Sequence, residues 1–359
     1  MTKARDIADN AGQGGGEVAN LIINGDMAVS QRGTSGTCAN SNAGYKTVDR
    51  WKFQESGADT YSLTMSQSTT APEGFANSVK YNVDTADSSL DTSCYIRHTQ
   101  LIEGQNLQVI QKGLSSAKKI TLSFYVRSSL TGTYIVELRD VDNNRICSQS
   151  YSITTADTWQ KVTITFPPDT TGAFDNDNGG SLEVSFVLAA GTNFTSGTLA
   201  TAWEANTAAN RGVGQVNFLA TLNNEWYLTG VSLVVGDSAP STHPYESYAE
   251  NLERCNRYYY SLKAIASYSN FLQAAWRTTS QCRGTIPFPV TMRASPSFST
   301  TGSFVSLGNG SFSSMTISDG GLKDQGTLSI NGSGGTVGYS TTIRANNDST
   351  ASINFDAEL

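Results

Sequence analysis

Residues 226–260, WYLTGVSLVVGDSAPSTHPYESYAENLERCNRYYY, place a strand, a proline-punctuated bend and a helix in direct succession. Pro244 stops the extended run. Ser247-Tyr248-Ala249-Glu250 then has capping-box spacing, in which a Ser hydroxyl and a Glu carboxylate satisfy backbone amides that a helix start leaves orphaned. Tyr248, Leu252, Cys255 and Tyr259 recur at helical spacing, which predicts a short connecting helix over 241–262 with one packed face. The stretch therefore reads as the joint between two β domains, covering 20–240 and 263–359.

Upstream of the joint, short runs of alternating apolar residues fall at 62–66, 78–83, 119–128, 132–139, 146–153, 160–166, 181–188 and 225–235, each bounded by turn residues. Strands at this spacing, with no helical stretch between them, predict an antiparallel sandwich, and a jelly roll is its expected form. Asp140-Val141-Asp142-Asn143-Asn144 joins two such runs and reads as a hairpin loop. It lacks the sixth-position Gly and the distant Glu of a calcium-binding EF-hand. Trp51 and Trp226 sit in patterned segments and are expected in the core, with Trp159 at the start of a strand. Downstream, 271–277, 280–288, 297–307, 311–317, 327–330, 338–344 and 351–355 read as strands of a second β-sandwich, with Pro287 and Pro289 marking an edge. The whole chain is thus all-β apart from the connecting helix. The second domain is rich in small and hydroxyl residues, and a core that thin gains stability by packing against copies of itself, so an oligomer is expected.

Composition narrows the function. Only 15% of the 359 residues are charged and the net charge is −7. Phosphate contacts need clustered Lys and Arg, and no such cluster occurs, so nucleic acid is excluded as a partner. No apolar run approaches the roughly 20 residues needed to span a bilayer, and the first residues lack a secretory pattern. Membrane insertion is therefore not expected, and the chain is expected to be made in a cytoplasm. The five cysteines, Cys38, Cys94, Cys147, Cys255 and Cys282, are far apart and form no CxxC pair, which predicts buried, reduced thiols.

The sequence gives catalysis little support. His98 and His243 are the only histidines, expected on a strand surface and in a turn, and there is no GxSxG elbow or HExxH motif. Glu103, Asp140, Asp157, Glu183 and Glu225 are acids that a fold can bring together for glycoside cleavage, yet the sequence pairs no two of them. Trp203, in the polar stretch Thr201-Ala202-Trp203-Glu204-Ala205-Asn206, has two readings. It is a stacking platform for a sugar ring, or a wedge that closes the sandwich edge or a subunit interface.

Several motifs together resemble bacteriophage tail-fibre and other virion proteins. Asn24-Gly25-Asp26-Met27, Gln31-Arg32-Gly33 and Val48-Asp49-Arg50-Trp51 look like the opening of their carbohydrate-binding-module-like jelly roll. Leu228-Thr229-Gly230-Val231, the run from Tyr248 to Leu252 and Cys255-Asn256-Arg257-Tyr258-Tyr259-Tyr260 resemble their joint. Phe288-Pro289-Val290-Thr291-Met292-Arg293 with Ser295-Pro296 resembles their C-terminal domain. The resemblance implies a structural protein of the virion, assembled in the host cytoplasm, most simply a homotrimeric tail fibre or receptor-binding protein that contacts host surface glycan and is not an enzyme. A capsid decoration or head-fibre protein and a polysaccharide depolymerase are the alternatives. Residues 1–19 then form an anchoring peptide and Gly-rich linker, with Lys3, Ala4, Arg5, Asp6, Ile7 and Ala8 docking on other virion proteins. The resemblance also implies a structural calcium near the first strand. Asp26 supplies one ligand, but the last strand carries no acid and Asp237 follows only after it. No other cofactor is implied.

Overall fold

The computed structural model describes residues 19–244, 246–318 and 322–359. The expected anchoring residues Lys3 to Ala8 lie outside them. The chain divides into two units, one built from residues up to Ala28, 35–46 and 51–246, the other from 29–34, 47–50 and 247–359. Both are β-structures, as the alternation predicts.

The first unit holds two antiparallel sheets. From edge to edge, the six-stranded sheet runs Ser35–Ala39, Ser62–Ser68, Ser78–Thr85, Glu225–Val235, Ile120–Ser128 and Gln160–Phe166. The seven-stranded sheet runs Glu204–Ala205, Arg145–Ile153, Gly132–Asp140, Gly180–Ala190, Tyr95–Glu103, Lys52–Gln54 and Gly44–Tyr45. The hairpin at Asp140 to Asn144 forms as expected, with Asp140 paired to Arg145 and Asn144 at φ 50°.

Side chains from both sheets meet in an aromatic core. Trp51 stacks on His98 with ring centroids 4.7 Å apart, Phe186 lies edge-on to Phe124 at 5.0 Å, and Trp226 packs beside Tyr81 at 6.0 Å. The indole N–H of Trp51 donates to the Asn24 carbonyl at 3.0 Å, which satisfies its one polar atom in the core. His98, expected on a strand surface, is instead fully buried, with Nδ1 3.0 Å from the Tyr81 hydroxyl. Burial holds its pKa down at about 3, so it is neutral in the fold. Midway along Glu225–Val235, Gly230 takes φ +61° at a bulge, where a Cβ would fall 2.6 Å from the Phe75 ring.

The helix forms over Tyr248–Asn256 with the full capping box. Its buried face differs from the expected one. Asn251 and Cys255 are buried, Tyr248 is 60% exposed, and Tyr259 has left the helix for the strand Tyr259–Lys263. That strand, Ser352–Asp356 and Ser297–Thr301 form a three-stranded sheet. The other sheet of the second unit runs Phe304–Leu307, Ser340–Ala345, Asn270–Trp276, Gln281–Pro287, Gln325–Asn331 and Ser314–Ile317. Residues 297–307, read as one strand, are two strands in different sheets, parted at Gly302 with φ +81°. Small residues here admit one large side chain. Trp276 is 2% exposed, and a Cβ at Gly335 or Gly310 would lie 2.1 or 2.2 Å from its ring.

Residues 29–34 and 47–50, expected in the first domain, cluster with the second unit instead. Their charges explain this. Arg32 pairs with Asp356 at 3.0 Å and with Glu358 at 3.4 Å, and its guanidinium lies 3.6 Å from the centre of the Tyr259 ring. Arg50 pairs with Glu358 and covers the Tyr258 ring at 3.5 Å. Gln31 donates to Asp49 and to the Tyr259 carbonyl, both at 2.7 Å. Burial pushes the Asp49 carboxyl up to about 6, against the opposing pull of Arg32.

Two outcomes are expected. Arg50→Ala takes from the buried Glu358 carboxylate the nearer of its two guanidiniums, leaving it Arg32 at 3.4 Å, and should lower the unfolding free energy by about 2 kcal/mol, read by denaturant titration. For His98 the unfolded chain takes up a proton near pH 6.5 and the folded one only near 3, so its contribution to stability is complete above 6.5 and is lost as pH falls toward 3. Unfolding midpoints between pH 7 and 4 should reveal a slope of up to about 1.4 kcal/mol per pH unit that His98→Asn removes.

Candidate functional site

The central strand Gly180–Ala190 of the seven-stranded sheet is buried on both faces. One face sends Phe186 into the aromatic core. The period-two alternation of a strand then turns Glu183, Ser185 and Val187 to the opposite, outer face. Strand register extends this face sideways in rows. Lys52, Thr99, Ser185, Glu137 and Ser148 stand opposite one another across five strands. A neighbouring row is Leu101, Glu183, Arg139, Ile146 and Glu204, and Arg97 stands opposite Gln54 and Val187 on the other side.

Two carboxylates on this face are buried and must be neutralised. Arg211 grips Glu137 with two bonds of 2.7 and 2.5 Å, and Arg97 bonds Glu183 at 2.5 Å. Ser185 donates to the same Glu183 oxygen at 2.9 Å. Burial pushes the Glu183 carboxyl up, but Arg97, Ser185 and the charges of Arg139 and Arg211 more than reverse it, leaving it below the ordinary carboxylate range. It is held ionised rather than as a general acid. Arg211 arrives on residues 191–212, which roof one end of the face. Phe194 on this segment stacks on Tyr95 at 4.4 Å, and with Leu199 it packs on a patch of Tyr95, Ile135 and Val187.

Polar atoms are left over on this face. Among the described residues, Tyr95 Oη, Ser148 Oγ, Gln54 Oε1, Arg97 Nε and Arg139 Nε are buried without a hydrogen-bond partner. An unmet buried polar atom costs about 1–3 kcal/mol, so such positions call for a bridging water or another polar partner. Lys52, Gln54, Arg97 and Arg139 remain half-buried and reachable from solvent. Chemically the face offers donors and acceptors in rows of strand spacing, with a guanidinium at its centre.

Trp203 stands beside this sheet rather than on its polar rows. Its indole N–H donates to the Pro167 carbonyl at 2.9 Å, and its ring centre lies 5.5 Å from the Lys112 ammonium. Lys112 is itself caged by Asp140 at 2.5 Å, Asp169 at 3.0 Å and the carbonyls of Thr171 and Gly172 at 2.7 Å. Arg145 closes the cluster by bonding Asp169 at 2.8 Å and the Trp203 carbonyl at 3.1 Å. Half-buried and with its N–H spent, Trp203 has the geometry of the wedge.

The acids singled out from the sequence do not converge. Asp140 serves Lys112, Glu183 serves Arg97, Glu225 serves Lys80 at 2.5 Å, Asp157 serves Arg127 at 3.1 Å, and Glu103 accepts from Gln105 at 2.5 Å. Asp26 accepts from the Ala28 amide at 3.3 Å through its side chain and from Thr229 Oγ1 at 3.2 Å through its carbonyl. Among the described residues no three His, Cys, Asp or Glu side chains gather to hold a metal. His243 lies in the bend before the helix, half-buried and 5.4 Å from the Phe75 ring. All five cysteines are buried free thiols.

No protein-family model and no curated protein matches this chain. Among solved structures it is similar to the enzymatically active domain of bacteriophage CBA120 tailspike protein 4, with 14% identity, a TM-score of 0.32, and coverage of 60% of this chain and 21% of that one. It is also similar to a family 11 carbohydrate-binding module from Clostridium thermocellum solved with a β-1,3-1,4-mixed-linked tetrasaccharide, with 12% identity, a TM-score of 0.29, and coverage of 58% and 98%. A family 30 carbohydrate-binding module has 11% identity, a TM-score of 0.28, and coverage of 61% and 89%. The chain spans about a fifth of the tailspike domain. Likeness at this level does not extend to activity.

If Trp203 is a wedge, Trp203→Ala should lower stability by about 2 kcal/mol, through lost packing and an orphaned Pro167 carbonyl. Thermal unfolding checks this. Unchanged stability with weakened sugar binding would restore the stacking role.

Proposed function

We propose that this chain is a virion protein of the tail-fibre or receptor-binding kind, which contacts host surface glycan through the outer face of its seven-stranded sheet and does not cleave it. The observation that carries the reading is the set of half-buried polar residues on that face whose side chains keep an unpartnered atom: Gln54 Oε1, Arg97 Nε and Arg139 Nε. Sugars present hydroxyls that both donate and accept, and such ligands are held by a few fixed polar groups. The pairing of Glu137 and Glu183 with guanidiniums supports binding without hydrolysis, because cleavage needs one carboxyl kept protonated beside an ionised one.

In this reading the peptide from Lys3 to Ala8 docks on other virion proteins, and the chain acts as a homotrimer. Its place is the virion. The test uses the full-length protein on host cell-surface polysaccharide, with mass in solution and released sugars measured together. Saturable binding by a trimer without sugar release is expected; release would favour a depolymerase, and no binding would favour a capsid decoration role. Deleting residues 2–10 should leave a folded oligomer that no longer joins particles, and incorporation of the truncated chain would refute the anchor.

A further inference from the structure

The charges on the proposed face do not cancel at its centre. The face as a whole carries Lys52, Arg97, Arg139 and Arg211 with Glu137, Glu183 and Glu204. Arg211 is taken by Glu137 and Arg97 by Glu183, while Glu204 at the far edge accepts from the Asn210 amide at 2.7 Å. Lys52 lies at the other edge, 5.6 Å from the Tyr45 ring centre. Arg139 remains. It occupies the register position beside Glu183, but the nearest guanidinium bonds of Glu183 come from Arg97, and among the described residues Arg139 forms no side-chain ion pair or hydrogen bond. It is half-buried, so part of the side chain still meets solvent.

A guanidinium is a planar fork of donors that matches a carboxylate with two parallel bonds, and it gains most where solvent is partly excluded. In a chain of net charge −7, Arg139, the second guanidinium beside a carboxylate already bonded by Arg97, is a local excess of positive charge. Resting on the glycan-binding reading above, we infer that the face selects an acidic glycan, and that Arg139 receives the carboxylate of a uronic or sialic acid.

The test presents full-length protein to an array of uronic-acid, sialic-acid and neutral oligosaccharides, and repeats the acidic spots with carboxyl-reduced versions of the same sugars. Signal on acidic sugars that falls at least about tenfold on carboxyl reduction, and by a similar factor in Arg139→Gln, is expected for one charge-assisted contact. Lys80→Gln, on the other sheet, should bind as the parent does. Binding should also weaken as salt is raised. Equal signal on reduced and unreduced sugars, or an unaffected Arg139→Gln, overturns the acidic selectivity and leaves the glycan face standing. Absence of signal on every sugar counts against both.

Discussion

Burying Glu137 and Glu183 on the outer face of the seven-stranded sheet constrains most of what surrounds them. An ionised carboxylate out of water is costly unless it is paired and hydrogen-bonded, and each of these two stands on a strand already covered by the aromatic core on its other side. Arg97 comes from the neighbouring strand, but Arg211 has to be delivered from outside the sheet. Residues 191–212 make that delivery, and Phe194 and Leu199 bury the apolar end of the face as they do so. One electrostatic requirement therefore sets the route of the longest irregular excursion in the first unit and leaves a rim of half-buried polar residues beside it.

The second unit follows the same logic with its signs exchanged between segments. Glu358 and Asp356 near the C-terminus are met by Arg32 and Arg50, which enter from two short stretches far away in sequence. Tyr258 and Tyr259 cover the guanidiniums, so cation–π contact and ion pairing act on the same groups. The motifs around Gln31-Arg32-Gly33 and Asp49-Arg50 look from their positions like the opening of the first domain, yet their side chains work for the second.

Alternation made most of the strands legible, because residues such as Phe124, Val126, Trp226 and Leu228 mark a buried face on their own. Capping chemistry located the helix start for the same local reason. Tyr95–Glu103 escaped notice because His98 and Gln100, polar in sequence, are buried, and Arg97 and Thr99 face the other way. A strand polar on both faces has no apolar period. The candidate site was hidden for a related reason: Arg97, Arg139 and Arg211 are scattered along the chain and meet only through strand register and a returning loop. Trp203 stands out in sequence as a large aromatic among small residues, but no local signal shows that its N–H reaches the Pro167 carbonyl in a different segment.

A fold that buries charge beside unpartnered polar atoms has a face prepared for water or for a hydroxyl-rich ligand, and the proposed role rests on the second. The most direct measurement is hydrogen–deuterium exchange of the full-length protein with and without saturating host surface polysaccharide. The account expects added protection in residues 191–212 and in Lys52–Gln54, at the rim of the seven-stranded sheet. Protection confined to the six-stranded sheet or to the second unit would contradict it.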